Sequence, residues 1–263
     1  THVKKKKINK RMTTDFTSES PAAVADAVNR YAGRHGYGRF DPKAALIDMD
    51  GTLLDSMKWH TLAWLRLATE LGIEATREEF YLYEGMTGAA TIGLLFRRAF
   101  NREPTQAEVS ELYSRKTSYF NELPRVGIVP GADELTALLI VRGITRVLVT
   151  GSGQISNLQR LNEDFPGAFA DNMRITARDV THGKPHPEPY LKAMQKAGVE
   201  PWQSIVIENA PRGVEAGASS GAFTVAVTTG PIPCGEMWRA GADVVFPSMH
   251  ALVASMPAIL EWK

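Results

Sequence analysis

The sequence has little cysteine and no long apolar run, and each of these absences excludes a class of protein. The 263 residues include one cysteine, Cys234, so neither an intrachain disulfide nor a cluster of thiolate metal ligands can form. No apolar stretch approaches the roughly 20 residues that a membrane-spanning helix requires, and the amino end lacks the apolar segment of a signal peptide. We therefore expect a cytoplasmic protein that does not bind a membrane.

The chain also has almost no net charge, with 30 lysine and arginine residues against 29 aspartate and glutamate residues. A balanced chain creates no overall field that attracts nucleic acid, so we expect no nucleic-acid partner. We also expect a monomer. The exception to this balance of charge is the amino end, which carries lysines at positions 4–7 followed by Lys10 and Arg11. A run of like charges is usually solvated and disordered, although this one could also tether an acidic partner.

Short apolar runs alternate with helical patterns over most of the chain. The runs that predict buried strands are 44–47, 145–150, 204–207, 222–227 and 243–246, and the helical patterns lie at 132–142, 155–162, 188–197 and 213–219. Strands joined by helices require crossover connections. The alternation therefore predicts an α/β fold with a doubly wound parallel sheet, whose ligands bind at the carboxyl ends of the strands.

Residues 56–129 break this alternation, because they contain four helical patterns and no good strand. Thr105 with Glu108 three positions later forms a capping box at the start of the last pattern. An all-helical insert directly after the first strand predicts a cap domain over the strand ends. We divide the chain into an extension (1–40, partly disordered, with one short helix from about Ser18 to Tyr31), a core (41–55 and 130–263) and the cap (56–129).

Two carboxylates follow the first predicted strand, at Asp48 and Asp50, and the chain turns at Gly51. Both can approach one phosphorus atom from the strand end. The first can attack it, and the second can donate a proton to the leaving oxygen and later take one from water. Aspartate and glycine are also common in turns, so this segment alone does not decide between chemistry and a loop.

Two further segments offer groups that bind phosphate. Thr150 ends the second strand and precedes Gly151 and Ser152, whose backbone N–H groups at a helix start can hold a phosphoryl oxygen. Lys184 lies in a stiff, proline-rich segment and can bridge a carboxylate and a phosphate. Considered alone, the segment at Thr150 is also typical of a common loop. The segment at Lys184 is also typical of an exposed turn.

A fourth segment ends the strand at 204–207 with Glu208 and Asn209, whose oxygen atoms suit Mg²⁺. Asn209 could instead cap the following helix. In this order, and with each at a strand end, the four segments resemble the haloacid dehalogenase (HAD) superfamily over about residues 44–247.

The resemblance implies an enzyme that transfers a phosphoryl group from a small phosphorylated substrate through an aspartyl-phosphate. It identifies Asp48 as the nucleophile and Asp50 as the acid and base, and an acid at the second position sets the chain apart from most true dehalogenases. It identifies Thr150 and Lys184 as the groups that stabilise the phosphate and the aspartate.

The resemblance also implies that Mg²⁺ is held by Asp48, the backbone carbonyl of Asp50 and Asn209, with Glu208 close by. The family usually has an acid where this chain has Asn209. One negative charge fewer should weaken Mg²⁺ binding somewhat, although an amide oxygen is still a competent ligand.

The helical insert, together with His60 and Lys116, resembles the β-phosphoglucomutase-like branch, in which these residues would orient Asp50 and face the substrate. The mutase pattern has an arginine in the cap loop, whereas the equivalent loop here, residues 84–89, has no arginine and begins with Glu84. Arg97 and Arg98 on the next helix could compensate. The same combination resembles mutase-like inorganic pyrophosphatases.

We therefore expect a phosphohydrolase that acts on pyrophosphate or on a sugar phosphate. β-Phosphoglucomutase activity is the alternative. A non-catalytic binding module is a third hypothesis, from a different functional class.

Overall fold

The computed structural model describes residues 16–17, 19–153 and 155–262, and the basic segment at positions 4–11 lies outside them. The strands are β1 (Ala44–Ile47), β2 (Thr145–Val149), β3 (Arg174–Ile175), β4 (Ser204–Glu208), β5 (Phe223–Val227) and β6 (Val244–Phe246). They form one parallel sheet in the order β3-β2-β1-β4-β5-β6. The predicted doubly wound sheet is therefore confirmed.

Eleven α-helices occur in the described part of the chain. They are α1 (Pro21–His35), α2 (Met57–Glu70), α3 (Arg77–Leu82), α4 (Gly88–Phe100), α5 (Gln106–Asn121), α6 (Ala132–Val141), α7 (Ile155–Asp164), α8 (Glu188–Ala197), α9 (Pro211–Ser219), α10 (Cys234–Arg239) and α11 (Met249–Leu260). None of the helices that the structure describes is both long and apolar enough to cross a membrane.

Strand β1 lies at the centre of the sheet, and the strand order reverses there. It pairs with β2 on one side and with β4 on the other, and all four of its residues are fully buried. Helices cover both faces, which explains why the strands are continuous apolar runs. A reversal of this kind opens a crevice at the carboxyl ends of the strands.

Helices α2 to α5 lie between β1 and α6 and have a hydrophobic cluster of their own, built on Trp64, Phe80 and Phe96. Helices α3 and α5 both begin with capping boxes, and the one at Thr105 and Glu108 is the one predicted. The predicted helical insert is therefore confirmed, while its boundaries at 56 and 129 stay a prediction.

Helix α1, in the segment that we expected to be an extension, packs on the core. Its residues Val24, Val28 and Tyr31 are completely buried, and the Tyr31 hydroxyl donates a hydrogen bond of 2.9 Å to the carbonyl oxygen of Gly221. Apolar side chains on successive turns give this short helix one buried face, which packs beside α11. The short helix predicted from about Ser18 to Tyr31 is therefore present as α1, and the boundary of the extension at residue 40 stays a prediction.

Candidate active site

The carboxyl ends of β1, β2 and β4 meet at the crevice and bring the predicted chemical groups together. Asp48 follows β1 directly, Thr150 follows β2, and Glu208 is the last residue of β4. Gly51 adopts a φ of 79°, a conformation that glycine reaches without strain, and this turns the chain back after the two aspartates.

Lys184 connects two of these strand ends inside the protein. Its Nζ atom lies 2.5 Å from Asp48 Oδ1 and 2.6 Å from Glu208 Oε1, and it also donates to the Val149 carbonyl oxygen at 3.1 Å. Burial opposes the charge of the lysine, but the two carboxylates outweigh this effect and raise the pKa of Lys184. Without a metal cation, burial and the Glu208 carboxylate raise the pKa of Asp48 to about 8, against the opposing effect of Lys184. A Mg²⁺ ion bound at this carboxylate would lower the pKa again and keep Asp48 ionised.

Glu208 is held by more than the lysine. The Tyr190 hydroxyl donates to Glu208 Oε1 at 2.6 Å, and the backbone N–H of Asn209 donates to Oε2 at 3.1 Å. These contacts fix the carboxylate of Glu208 beside Lys184. In this arrangement Glu208 therefore positions the lysine. The sequence analysis missed Tyr190, whose only signal is a tyrosine in the first turn of α8.

Asp50 lies at the end of a chain of three ionisable side chains. Its Oδ1 atom is 3.1 Å from His60 Nε2, and His60 Nδ1 is 2.6 Å from Lys116 Nζ. A protonated Lys116 can only donate, and in that state the network assigns the proton of His60 to Nε2, where it faces Asp50. The His60 ring also stacks on Phe120 with 4.2 Å between ring centroids, which holds its orientation.

This chain sets the charges around Asp50. Burial lowers the pKa of Lys116 to about 7, and burial and Lys116 together lower the pKa of His60. Burial alone would raise the pKa of Asp50, but His60 and the Ser56 hydroxyl, which donates to Oδ1 at 2.7 Å, lower it instead. Asp50 is therefore ionised in this arrangement. Ser56 is a second contact that the sequence analysis missed.

Thr150 lies between Asp50 and the loop that follows β2. Its hydroxyl is 3.5 Å from Asp50 Oδ2 and accepts a hydrogen bond of 2.9 Å from the backbone N–H of Ser152. Gly151 and Ser152 line the cavity. The N–H of Ser152 faces the Thr150 hydroxyl, and the role of this segment as an anion site stays a prediction.

Glu84, from the helical insert, reaches the strand ends and bonds to Asn209. The Asn209 amide nitrogen donates to Glu84 Oε1 at 2.7 Å, which leaves Asn209 Oδ1 facing the hydroxyl of Thr52 at 3.1 Å. The same hydroxyl lies 3.1 Å from Asp48 Oδ2. Asn209 Oδ1 and Asp48 Oδ2 are therefore brought to the same place, with Glu84 beside them.

The donor set fits a hard divalent cation. Burial raises the pKa of Glu84 well above its usual range, against the Asn209 hydrogen bond, and the carboxylates of Asp48, Glu208 and Asp50 raise it further. These four buried carboxyl groups have few positively charged partners, and a bound Mg²⁺ would offset the repulsion between them. Carboxylate, amide and carbonyl oxygens are also the ligands that Mg²⁺ prefers.

A cavity of about 50 Å³ separates the insert from the strand ends. Asp48, Asp50 and Thr150 line it from the core, and Glu84 and Lys116 line it from the insert. It has room for a few water molecules, since one needs about 10–15 Å³ of such a volume. Glu84 of the insert bonds to Asn209 of the core at 2.7 Å, so the cap loop is in contact with the core in this structure.

No arginine is among the described residues that line this cavity. Arg97 instead bonds to Glu103 at 2.8 Å, and Arg98 bonds to Glu79 at 2.6 Å, both on the outer surface of the insert. The suggestion that one of them compensates for the missing arginine of the mutase pattern is therefore not supported by their positions.

Two glycines of the core let the cap loop approach closely. A Cβ atom on Gly151 would lie 2.4 Å from the carbonyl oxygen of Gly85, and one on Gly183 would lie 2.6 Å from Cγ2 of Thr87. Both distances are too short for real atoms, so the contact between loop and core requires that these positions carry no side chain. We refer to this contact, formed by Gly151 and Gly183 with Gly85 and Thr87, as the seam.

Comparison with known proteins gives consistent results. Residues 42–221 match the model of a family described as haloacid dehalogenase-like hydrolases. Hexitol phosphatase A of Escherichia coli is 31% identical over 186 residues, which cover 70% of this chain and 82% of that protein. The 2-deoxyglucose-6-phosphate phosphatase 1 of Saccharomyces cerevisiae is 28% identical over 221 residues, which cover 78% of this chain and 87% of that protein.

A solved structure from Bacteroides vulgatus, provisionally named a β-phosphoglucomutase, is also similar. It superposes with a TM-score of 0.88 and is 43% identical in sequence. The match covers 91% of this chain and 98% of the other, so it includes both the sheet and the helical insert.

Proposed function

Because the chain belongs to the haloacid dehalogenase-like hydrolases, we propose that it is a Mg²⁺-dependent phosphohydrolase that works through an aspartyl-phosphate at Asp48. The observation that carries this proposal is the position of Asp48, whose carboxylate is bonded to Lys184 at 2.5 Å and faces the cavity that Asp50 also lines. A nucleophile and an acid thus line one small space, and a fixed cation is bonded to the nucleophile.

The reaction consists of two displacements at phosphorus. A carboxylate oxygen of Asp48 attacks in line, the bond from phosphorus to the leaving oxygen breaks, and Asp50 gives that oxygen its proton. Asp50 then takes a proton from water, which attacks the aspartyl-phosphate and restores Asp48. A phosphate entering the cavity brings negative charge, which raises the pKa of Asp50, so that Asp50 takes up a proton from water before the first step.

The surrounding residues hold these groups in place. Lys184 offsets the charge on Asp48 and the transferring oxygens, and His60, fixed by Lys116, orients Asp50. Mg²⁺ would be held by Asp48, the carbonyl oxygen of Asp50 and Asn209 Oδ1, with Glu208 behind Lys184. When bound, it would offset the charge on the phosphoryl oxygens.

Among substrates, the geometry favours inorganic pyrophosphate. Glu84 reaches the proposed metal ligands, and the described cavity lining has no arginine to grip the second phosphate of a sugar bisphosphate. An acid at this place suits a small substrate that arrives with metal ions, or a water molecule that needs a base. The names of the relatives favour a sugar phosphate as the second candidate, and a mutase reaction is the third.

Phosphate release with Mg²⁺ present, measured on pyrophosphate, β-glucose 1-phosphate and glucose 6-phosphate, tests this order. We expect pyrophosphate to have the highest kcat/KM. Glu84→Gln should lower kcat/KM for pyrophosphate by about 10²-fold, because losing one preorganised polar contact in the transition state has an effect of this size. The matched control is Glu78→Gln, which removes the same charge from an exposed position of the cap helix α3.

A clear preference of the unmodified enzyme for a hexose phosphate would overturn the pyrophosphate proposal and leave the aspartyl-phosphate mechanism intact. Equal effects of Glu84→Gln and Glu78→Gln on pyrophosphate hydrolysis would contradict the proposed role of Glu84 in that reaction.

Asp50→Asn is expected to lower kcat by about 10²–10⁴-fold, because it removes the proton donor and the base but leaves the nucleophile. The loss should be smaller for p-nitrophenyl phosphate than for an alkyl phosphate, since a good leaving group needs no proton. Rapid-quench measurements should then detect a burst of p-nitrophenol as the aspartyl-phosphate accumulates.

The control is Asp55→Asn, an exposed aspartate that bonds to Lys58. A loss of equal size for both leaving groups, with no burst, would contradict the role of Asp50.

A further inference from the structure

We propose that His182, His186 and Glu188 form a binding site for a transition-metal cation of the Zn²⁺ class, separate from the site at Asp48. One potential ligand atom from each residue lies within 4.8 Å of the other two. The two imidazole rings are 4.8 Å apart between centroids, and Glu188 Oε2 is 3.1 Å from His182 Nδ1. Nothing in the proposed hydrolysis uses these three side chains.

The distances allow coordination after a small movement. Zn²⁺ bonds of about 2.0–2.1 Å in a tetrahedral site bring ligand atoms to about 3.3 Å from one another. Both histidines are exposed, so their side chains have room to rotate towards a cation. The backbone N–H of Glu188 donates to His186 Nδ1 at 3.1 Å, so Nε2 is the ring nitrogen of His186 that we expect to coordinate. Water can occupy the open coordination position.

Glu188 is the fixed member of the group. Its carboxylate accepts hydrogen bonds from the backbone N–H groups of Thr181 at 2.9 Å and His182 at 2.8 Å, and it pairs with Lys192 at 2.8 Å. Lys192, the two backbone groups and His182 hold the pKa of Glu188 at about 2, so it is ionised at neutral pH. Lys192 also competes for the carboxylate, which favours a site of moderate affinity.

The ligands distinguish this site from the one at Asp48. Two imidazoles and one carboxylate suit Zn²⁺, Cu²⁺ or Ni²⁺, whereas Mg²⁺ prefers oxygen atoms alone. The two sites therefore select different cations, and millimolar Mg²⁺ should leave the histidine site free for Zn²⁺.

The position of the site connects it to the catalytic loop. His182 and His186 stand on either side of Lys184, whose side chain points inward to Asp48 while the two imidazoles point outward. Gly183, between His182 and Lys184, touches Thr87 at the seam. A bound cation would thus restrain the outer side of the loop that carries the buried Lys184.

Isothermal titration of Zn²⁺ into tag-free protein in millimolar Mg²⁺ tests the proposal. We expect one equivalent to bind in the micromolar range, and Co²⁺ to give the visible absorption of a site with nitrogen and oxygen ligands. His182→Ala and His186→Ala should each weaken binding by about tenfold or more, since even the outer partners of metal ligands contribute 10–100-fold. His250→Ala is the control, because His250 is also exposed and lies 3.4 Å from a carboxylate, that of Glu134.

Unchanged Zn²⁺ affinity in both His182→Ala and His186→Ala would overturn the proposal. So would the loss of Zn²⁺ binding in Asp48→Ala with wild-type affinity in the histidine variants, because the cation would then bind at the catalytic site. Thermal unfolding without Zn²⁺ checks that the variants fold. Two exposed side chains should leave the melting temperature nearly unchanged.

Discussion

Asp48→Ala is expected to abolish phosphate release, with a fall in kcat of roughly 10⁴-fold or more. The carboxylate that forms the phosphoenzyme is absent in this variant, and no other described carboxylate takes its place. Asp50 is held by His60 and Ser56, and Glu208 by Lys184 and Tyr190. The measurement is steady-state phosphate release, together with acid-quenched labelling from a ³²P substrate, which should vanish in the variant.

The fold should survive this substitution. Lys184 keeps Glu208 at 2.6 Å as a partner, so no buried charge is left without compensation. Asp55→Ala, an exposed aspartate near the same end of the sheet, serves as the control and should turn over at the wild-type rate. Turnover at the wild-type level in Asp48→Ala would refute the aspartyl-phosphate mechanism.

The second large effect is expected on stability. Lys184→Met should lower the free energy of unfolding by roughly 3–5 kcal/mol, because it leaves the carboxylates of Asp48 and Glu208 buried without their cation. These side chains are 3% and 0% exposed, so water cannot replace the lysine. Urea denaturation without divalent cations gives the change, and the variant should also lose phosphate release.

Two further variants make this test specific. Lys43→Met removes a lysine that is 54% exposed and pairs with Asp41 on the surface, so the expected change in stability is within about 1 kcal/mol. Glu208→Gln in the Lys184→Met background removes one of the two unpaired charges and should restore part of the stability. If Lys184→Met were no less stable than Lys43→Met, the buried ion pairs of Lys184 would not stabilise the fold as we expect.

The sheet and the helical insert followed from the sequence because their patterns are strong and local. Helix α8 was predicted with its observed bounds, and β1 likewise, since each is a continuous pattern between clear breaks. Strand β3 was missed because two residues carry no periodicity. Helices α10 and α11 were not predicted either, and α11 contains Pro257, which usually argues against a helix.

The residues that carry the proposed chemistry were easier to predict than the residues that they contact. Parallel strands place their carboxyl ends at one edge, so the meeting of Asp48, Thr150 and Glu208 follows from the order of strands. The bond between Asn209 and Glu84 joins residues 125 positions apart and depends on how the cap sits. Tyr190 was missed for the same reason, since packing and not sequence pattern decides which carboxylate a buried hydroxyl contacts.

The seam has a consequence for the speed of the enzyme. With Gly85 and Thr87 in close contact with Gly151 and Gly183, we expect a substrate to enter the chamber of about 50 Å³ when the cap loop separates from the core. Loop motions of this kind take microseconds to milliseconds, and in many enzymes they limit kcat. If the loop separates once in every cycle, the frequency of that separation is a ceiling on kcat. Faster chemistry at Asp48 would then not raise kcat above this ceiling, and kcat would depend on solvent viscosity.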